Sequence, residues 1–532
     1  ACRVEANLSK SAGWLALPCL ASLCLVLGLH DRLHFLGDWL MRRGSAAMDV
    51  ALEPLYPQAL PLDLFLHVRL PRMVSGLLGV DAVARIAGGI EALLLVASGW
   101  WLTARSGWGP GARFAALSVA IVGGFLQLFT GFNKAASEMC VLAGAATALA
   151  VAAPASGAAM IGLGGVAAIA VLLHRVGVLL VPAVLVAVAL RARRSETGAA
   201  QRWIPSLVAA TLPALSLAAV GPKLWHVLVT FDLPRHIAPP EVRMHPAAAL
   251  LAPAHLLDVA NALAALAPVA LVSLLATPAL ARRVRAVEIA PLAGVVVPMA
   301  VPVLAVHPQQ GLFRDLDVVA PSVVALAFLA AWVVGRVIAD EPRGRGLTVA
   351  VTTSALACAV AWMGLHHDPV RGAGWARRFT DPAAHRSAPE RALTWDFLGF
   401  RAMAEGNWPE AWRAWSEAAR LAPSPRILTQ LAMAETMTGR LEEARERFRR
   451  VLELDPGQTL AVRGIATTSF RLGDYREARR AAARLQAMGA APPELADLLR
   501  ELDRIEAGVR PSALDSDQRM HAQRGTRRPR PG

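Results

Sequence analysis

Through the first two thirds of the chain, apolar residues run in stretches of membrane-spanning length. They then give way to shorter charged segments with helical periodicity. A window of about 19 residues places apolar segments near 11–29, 82–103, 112–130, 137–153, 156–173, 176–191, 204–221, 259–280, 286–306, 317–338 and 346–364. The pattern predicts an all-α protein, a polytopic transmembrane bundle of about eleven spans followed by an α-solenoid. The bundle is expected over 1–365, a polar Pro-containing linker over 366–390, repeats with a capping helix over 391–508, and a basic disordered tail over 509–532. No small-residue cleavage site clearly follows 11–29, which reads as a retained first helix. The fourth to sixth segments are short and rich in Ala and Gly, which predicts close helix packing.

Composition agrees with the pattern. Hydrophobic residues make up 55% and charged residues 18%, an excess of apolar surface that must face something other than water. The formal charge of +14 does not point to nucleic acid, because the arginines fall between apolar runs or in the tail and lack interleaved aromatics. Five cysteines without C-x-x-C spacing exclude a disulfide scaffold and give no sign of zinc. With a cytoplasmic N-terminus, Arg105, Arg113, Arg191, Arg193, Arg194, Arg282, Arg283, Arg285, Arg336, Arg343 and Arg345 all fall on the cytoplasmic side of an inner membrane. Segments 30–81, 131–136, 174–175, 222–258 and 307–316 then share the outer face with the C-terminal repeats.

Those repeats align by spacing. Gly406, Gly439 and Gly473 recur at the same intervals as Ala411, Ala444 and Ala478, and Pro423 and Pro456 close the first two units. With Trp395, Leu398, Gly399, Trp415 and Ala418, the first unit resembles the tetratricopeptide family, whose arrays present a concave groove for peptide or protein.

Chemistry concentrates in the expected outer segments. His30 to Arg43 holds two histidines, Asp31 and Asp38, and arginines that include Arg42; an interfacial turn anchored by Trp39 explains it as well as a general base or metal ligand at Asp38 does. Asp38 after Phe35-Leu-Gly37, the link Gly131-Phe132-Asn133-Lys134 to Glu138, His174-Arg175-Val-Gly177, His255 to Asn261 and Arg314-Asp315-Leu-Asp317 resemble, in order, landmarks of C-type (GT-C) glycosyltransferases. Some of that family, the eukaryotic O-mannosyltransferases with tetratricopeptide tails, also join a membrane part to repeats.

The resemblance implies transfer of a sugar from a polyprenyl-phosphate donor, with Asp38 as base toward the acceptor hydroxyl. Asp31 is the nearest second acid. Arg42, Asn133, Lys134, His174, Arg175, His255, Asp258, Arg314, Asp315 and Asp317 are then expected to line the substrate site, with Arg175 and Arg314 offering forked donors to phosphate. Bland alternatives stand beside each: His174 and Arg175 as caps, Lys134 with Glu138 as an i,i+4 ion pair, His255 with Asp258 as a one-turn pair, and Arg314 pairing with Asp315 and Asp317 where a divalent cation is the other option. No metal is assigned. The expected partners are a lipid-linked sugar donor, membrane lipid, and a peptide or protein in the repeat groove. The rival reading is a non-catalytic membrane scaffold for envelope assembly. A transporter is disfavoured because no charged residue clearly lies in mid-helix.

Overall fold

The computed structural model describes residues 2–37, 56–131, 134–194, 198–237, 246–275, 286–308, 310–341, 344–384, 386–489 and 493–507. Among these the protein is all-helical, without strands, and the chain divides into two compact units at residues 376 and 377.

In the first unit every apolar segment is helical at least in part. Five helices, Arg175–Ala192, Ala199–Pro234, Ala286–Ala305, Leu316–Ala339 and Gly344–His367, are long and apolar enough to cross a membrane, and a sixth is if a bent pair counts as one span. The eleven expected spans are therefore not equivalent. Ala136–Ala152 and Gly157–Leu173 are 17 residues each, about 25 Å at the α-helical rise and short of a hydrocarbon core of roughly 30 Å.

Two other segments break. The one expected over 112–130 is α-helical only in Pro110–Ile121 and continues as a 3₁₀ turn, Gly124–Phe129. The one expected over 259–280 splits into Pro253–Leu266 and Pro268–Leu274, bent by 112°, because the residue before a proline is pushed out of the α region and Ala267 sits at φ −152°. The two breaks face each other. A Cβ on Gly124 would lie 2.0 Å from the Ala265 carbonyl oxygen, and one on Gly123 2.5 Å from that of Leu266. Irregular backbone inside an apolar bundle is tolerated where protein covers it, and here each break covers the other.

Leu316–Ala339 is the axis of the unit, with 78% of its apolar window buried, and it packs on Pro110–Ile121, Ala136–Ala152, Ala286–Ala305 and Pro268–Leu274. Gly344–His367 buries only 17%, so most of its apolar side chains face outward. The Ala/Gly-rich helices do pack closely: Gly164 touches the Ala209 backbone, where any Cβ would sit 2.4 Å from the carbonyl oxygen.

Within the stretch read as a linker, Pro369–Arg377 is a helix and Arg378–Thr380 and Pro382–Ala384 are 3₁₀ turns. Ser387 then caps Ala388–Ala404 in a capping box with Glu390. Six further helices follow in the second unit: Trp408–Leu421, Pro425–Met437, Leu441–Leu454, Thr459–Arg471, Tyr475–Ala487 and Pro493–Glu506, each packed on the one before. Gly406, Gly439 and Gly473 adopt φ of 75°, 81° and 81°, the left-handed conformation that turns the chain between paired helices without a Cβ penalty. Ala411, Ala444 and Ala478 are fully buried where helices cross, and Trp415 and Phe448 fill equivalent core positions. The expected tail, 509–532, lies outside the described residues.

Candidate functional site

Pro61–Leu64, the π-helical turn Phe65–Arg69 and Leu70–Met73 form one continuous helical run, and π turns are frequent where a side chain must be re-aimed. Here the turn carries His67. Its Nδ1 lies 2.9 Å from Asp63 Oδ1 and its Nε2 2.7 Å from Glu138 Oε1. Burial by itself lowers the imidazole, but the Glu138 charge and the hydrogen bonds of Asp63 and Glu138 outweigh it, and the group is pushed up to about 10. His67 is thus a fixed imidazolium between two carboxylates.

Glu138 also accepts from Ser137 Oγ at 3.3 Å, and the Glu91 carboxyl is buried within reach of its charge. One turn earlier in the chain, Lys134 donates to Asp317 Oδ2 at 2.6 Å, while Asp317 Oδ1 is buried without a hydrogen-bond partner.

A second set of contacts gathers round the first expected outer segment. Asp31 is buried, and its Oδ1 accepts from the Leu33 and His34 amides at 2.8 and 2.9 Å, tying the turn that follows Cys2–Gly28. His366, wholly buried, accepts the Arg32 and Leu33 amides at its carbonyl, and its Nδ1 lies 3.9 Å from Asp31. Gly37 donates its amide to the Arg314 carbonyl at 3.0 Å, and Arg314 Nε donates to the Phe35 carbonyl at 3.2 Å with the guanidinium over the Phe35 ring. Asp38, Arg42 and Asn133 lie outside the described residues.

The remaining expected residues divide. Arg175 is paired with Asp232 at 2.8 Å, the latter carried by another π turn, Leu228–Ile237, so its fork is engaged by protein. His174 caps the turn after it, accepting from the Val176 amide at 3.3 Å. Asp315 is buried and accepts from Gln310 Nε2 at 3.3 Å.

Three expectations need correction. Lys134 does not pair with Glu138, since its ammonium reaches Asp317 and Glu138 reaches His67. His255 does not pair with Asp258: its Nε2 contacts the Leu304 carbonyl at 2.9 Å, and its ring stacks on His307 at 4.2 Å. A charged residue does lie in mid-helix, because Glu91 is buried within Val80–Ala104.

The structure therefore joins residues 31–37 to 314 and 366, and residues 63–67 to 91, 134–138 and 317. Sequence reading missed Asp63, His67 and Glu91. The signal was present: Asp63 and His67 are the polar pair at i,i+4 in an otherwise apolar run, and Glu91 interrupts another. No group of three metal-ligating side chains occurs among the described residues.

Against known proteins, a family model described as tetratricopeptide repeat matches residues 435–502, so the C-terminal unit contains such repeats. No curated protein matches the chain, and no solved structure does.

Proposed function

We propose that the chain is a membrane-embedded helical protein that uses an α-solenoid of tetratricopeptide repeats to hold a protein partner at the membrane. The repeat match over 435–502, in one chain with helices that turn apolar side chains outward, carries this reading. Pro425–Met437 and Thr459–Arg471 expose Arg463 and part of Arg426, which pairs with Asp396, while their one acid, Glu435, is buried against Arg447. An acidic peptide suits that surface. Arg463→Glu should remove a protein that crosslinks to the wild-type chain in its own membranes; an unchanged crosslinking pattern overturns the assignment. The arginine distribution favours an inner-membrane location with the repeats on the extracytoplasmic side. A reporter active only in the cytoplasm, fused after Gly508, should be silent.

A second reading is glycosyl transfer from a polyprenyl-phosphate donor by a GT-C-like first unit. It is favoured by one observation: the Gly37–Arg314 and Lys134–Asp317 bonds tie together three segments named in that resemblance. In this reading Asp38 removes the acceptor proton, and Asp38→Asn lowers transfer by about 10²- to 10⁴-fold while the protein accumulates normally. Full transfer by Asp38→Asn, or no consumption of polyprenyl-linked sugar by the wild-type protein, leaves the partner-binding reading alone.

A further inference from the structure

The first unit holds a cavity of ≈ 510 Å³ bounded by Arg193, Arg194, Arg336, Trp108, Trp332 and Glu288, within the size range of small-molecule sites. Its lining includes no residue of either polar cluster described above, and its chemistry is different. Val151, Leu190 and Val287 give it apolar walls, and three guanidinium groups against one carboxylate leave it with an excess of positive charge.

The arginines of this region fall into two kinds. Arg191 is buried and used structurally: its guanidinium donates to the carbonyls of Ala153, Pro154, Gln201 and Arg202, which fixes the ends of three helices against one another. The guanidinium groups of Arg193, Arg194 and Arg336 make no hydrogen bond or ion pair with another described residue. Glu288 has a partner of its own.

The aromatic wall is fixed as well. The Trp108 ring lies on the backbone of Gly335, where an added Cβ would come within 2.1 Å of it, and its amide donates to Ser106 Oγ at 3.2 Å. The helices that supply Leu190 and Val287 also expose Leu185, Val287 and Val297, an apolar surface continuous in chemistry with acyl chains. A preorganised cavity with forked cationic donors at its rim and apolar helix faces beside it matches one class of ligand, a phosphate that carries an apolar tail.

We propose that this cavity binds the phosphate headgroup of an anionic phospholipid. Arg193, Arg194 and Arg336 take the phosphate oxygens, and the Trp108 and Trp332 rings sit at the glycerol level, where amphipathic aromatics are favoured. The site lies beyond the partner-binding and glycosyl-transfer readings and requires of them only that the first unit be embedded in a membrane.

The test uses the full-length protein in neutral detergent, titrated with phosphatidylglycerol, phosphatidylcholine or soluble glycerol 3-phosphate and followed by thermal unfolding. Phosphatidylglycerol should stabilise the wild-type protein saturably, and the other two should not. In Arg193→Gln/Arg194→Gln/Arg336→Gln the apparent affinity should fall by about fivefold per guanidinium, on the order of 100-fold together. Arg194→Gln alone gives the single-step loss should the triple variant fold poorly. Arg105→Gln is the control, an exposed arginine that stacks on Trp101 outside the cavity and should leave affinity unchanged. An equal loss in Arg105→Gln reduces the effect to surface attraction and overturns the site. Equal stabilisation by glycerol 3-phosphate reassigns it to soluble phosphate esters and overturns the lipid.

Discussion

In residues 1–376 the carboxylates Asp31, Asp63, Glu91, Asp232, Asp315 and Asp317 are all buried, and the partners among them are a histidine, a lysine, an arginine, a glutamine amide and backbone amides. From 377 onward many acids lie on exposed helix faces against arginines three or four residues away, as in Glu417–Arg420 and Glu405–Arg401. Of the buried exceptions, Asp396 and Glu435 each have an arginine reaching in from a neighbouring helix, and Glu501 has Arg504 on its own helix. The difference follows from the surroundings. In the repeats water solvates whatever is left unpaired, so each pair is individually dispensable. In the bundle the groups have only each other, so removing one exposes the rest to the full cost of desolvation.

His67 is where breaking the comparison should have the largest effect. His67→Ala leaves the buried Asp63 and the half-buried Glu138 without their shared cation, and unpairing buried charge costs about 3–5 kcal/mol. Hydrogen exchange should report loss of protection in the first unit with the repeats unaffected; protection unchanged in both means the network is not structural. The wild-type protein carries the same information in its pH dependence. Since the folded value of His67 is raised from 6.5 to about 10, its contribution is fully present below pH 6.5 and is lost as pH rises through 10. The thermal midpoint of the first unit should therefore fall between pH 7 and 10.5, and His67→Gln should flatten that slope.

A second, intermediate effect is expected in the core of the repeats. A Cβ at Gly399 would sit 2.6 Å from the Trp415 ring, whose Nε1 is already held by Asp396 at 3.1 Å. The ring cannot yield without giving up that bond, so Gly399→Ala should destabilise the second unit by about 1–3 kcal/mol. Exchange should quicken in Ala388–Ala404 and Trp408–Leu421 first. If the first unit loosens equally, the two are not independent in stability.

The repeats were legible because their information is local. The intervals between Gly406, Gly439 and Gly473 announce the helix pairs, and the caps at Ser387, Asn407 and Asp474 sit beside the helices they start. In the bundle, period and length located the helices but not the breaks at Gly123–Gly124 and Ala267, which depend on one another across more than a hundred residues. The polar cluster was half legible for the same reason. Lys134 and Asp317 were each singled out as site residues, but their bond spans 183 positions, and the nearer Glu138 looked the better partner until His67, 71 positions away, was seen to occupy it. Glu91 interrupts an apolar run, and nothing local reveals that it is buried near the Glu138 charge.

The smallest effect sharpens the comparison from the other side. Glu417 and Arg420 are three residues apart on Trp408–Leu421, 2.7 Å from each other, with side chains 43% and 62% exposed. Their attraction acts through water, and holding two long side chains in one geometry offsets much of it, so Glu417→Ala should change stability by only about 0–1 kcal/mol. The residual should vanish in 1 M salt, where the Debye length is about 3 Å, whereas the His67 effect should persist because counter-ions do not enter the bundle. Chemical denaturation of Glu417→Ala and His67→Gln at low and high salt makes the contrast measurable in one experiment. A loss at Glu417 as large as that at His67 would mean that the exposed pairs act as one cooperative network, and the repeats would then be held together by their surface rather than by Trp415, Phe448 and the small residues between them.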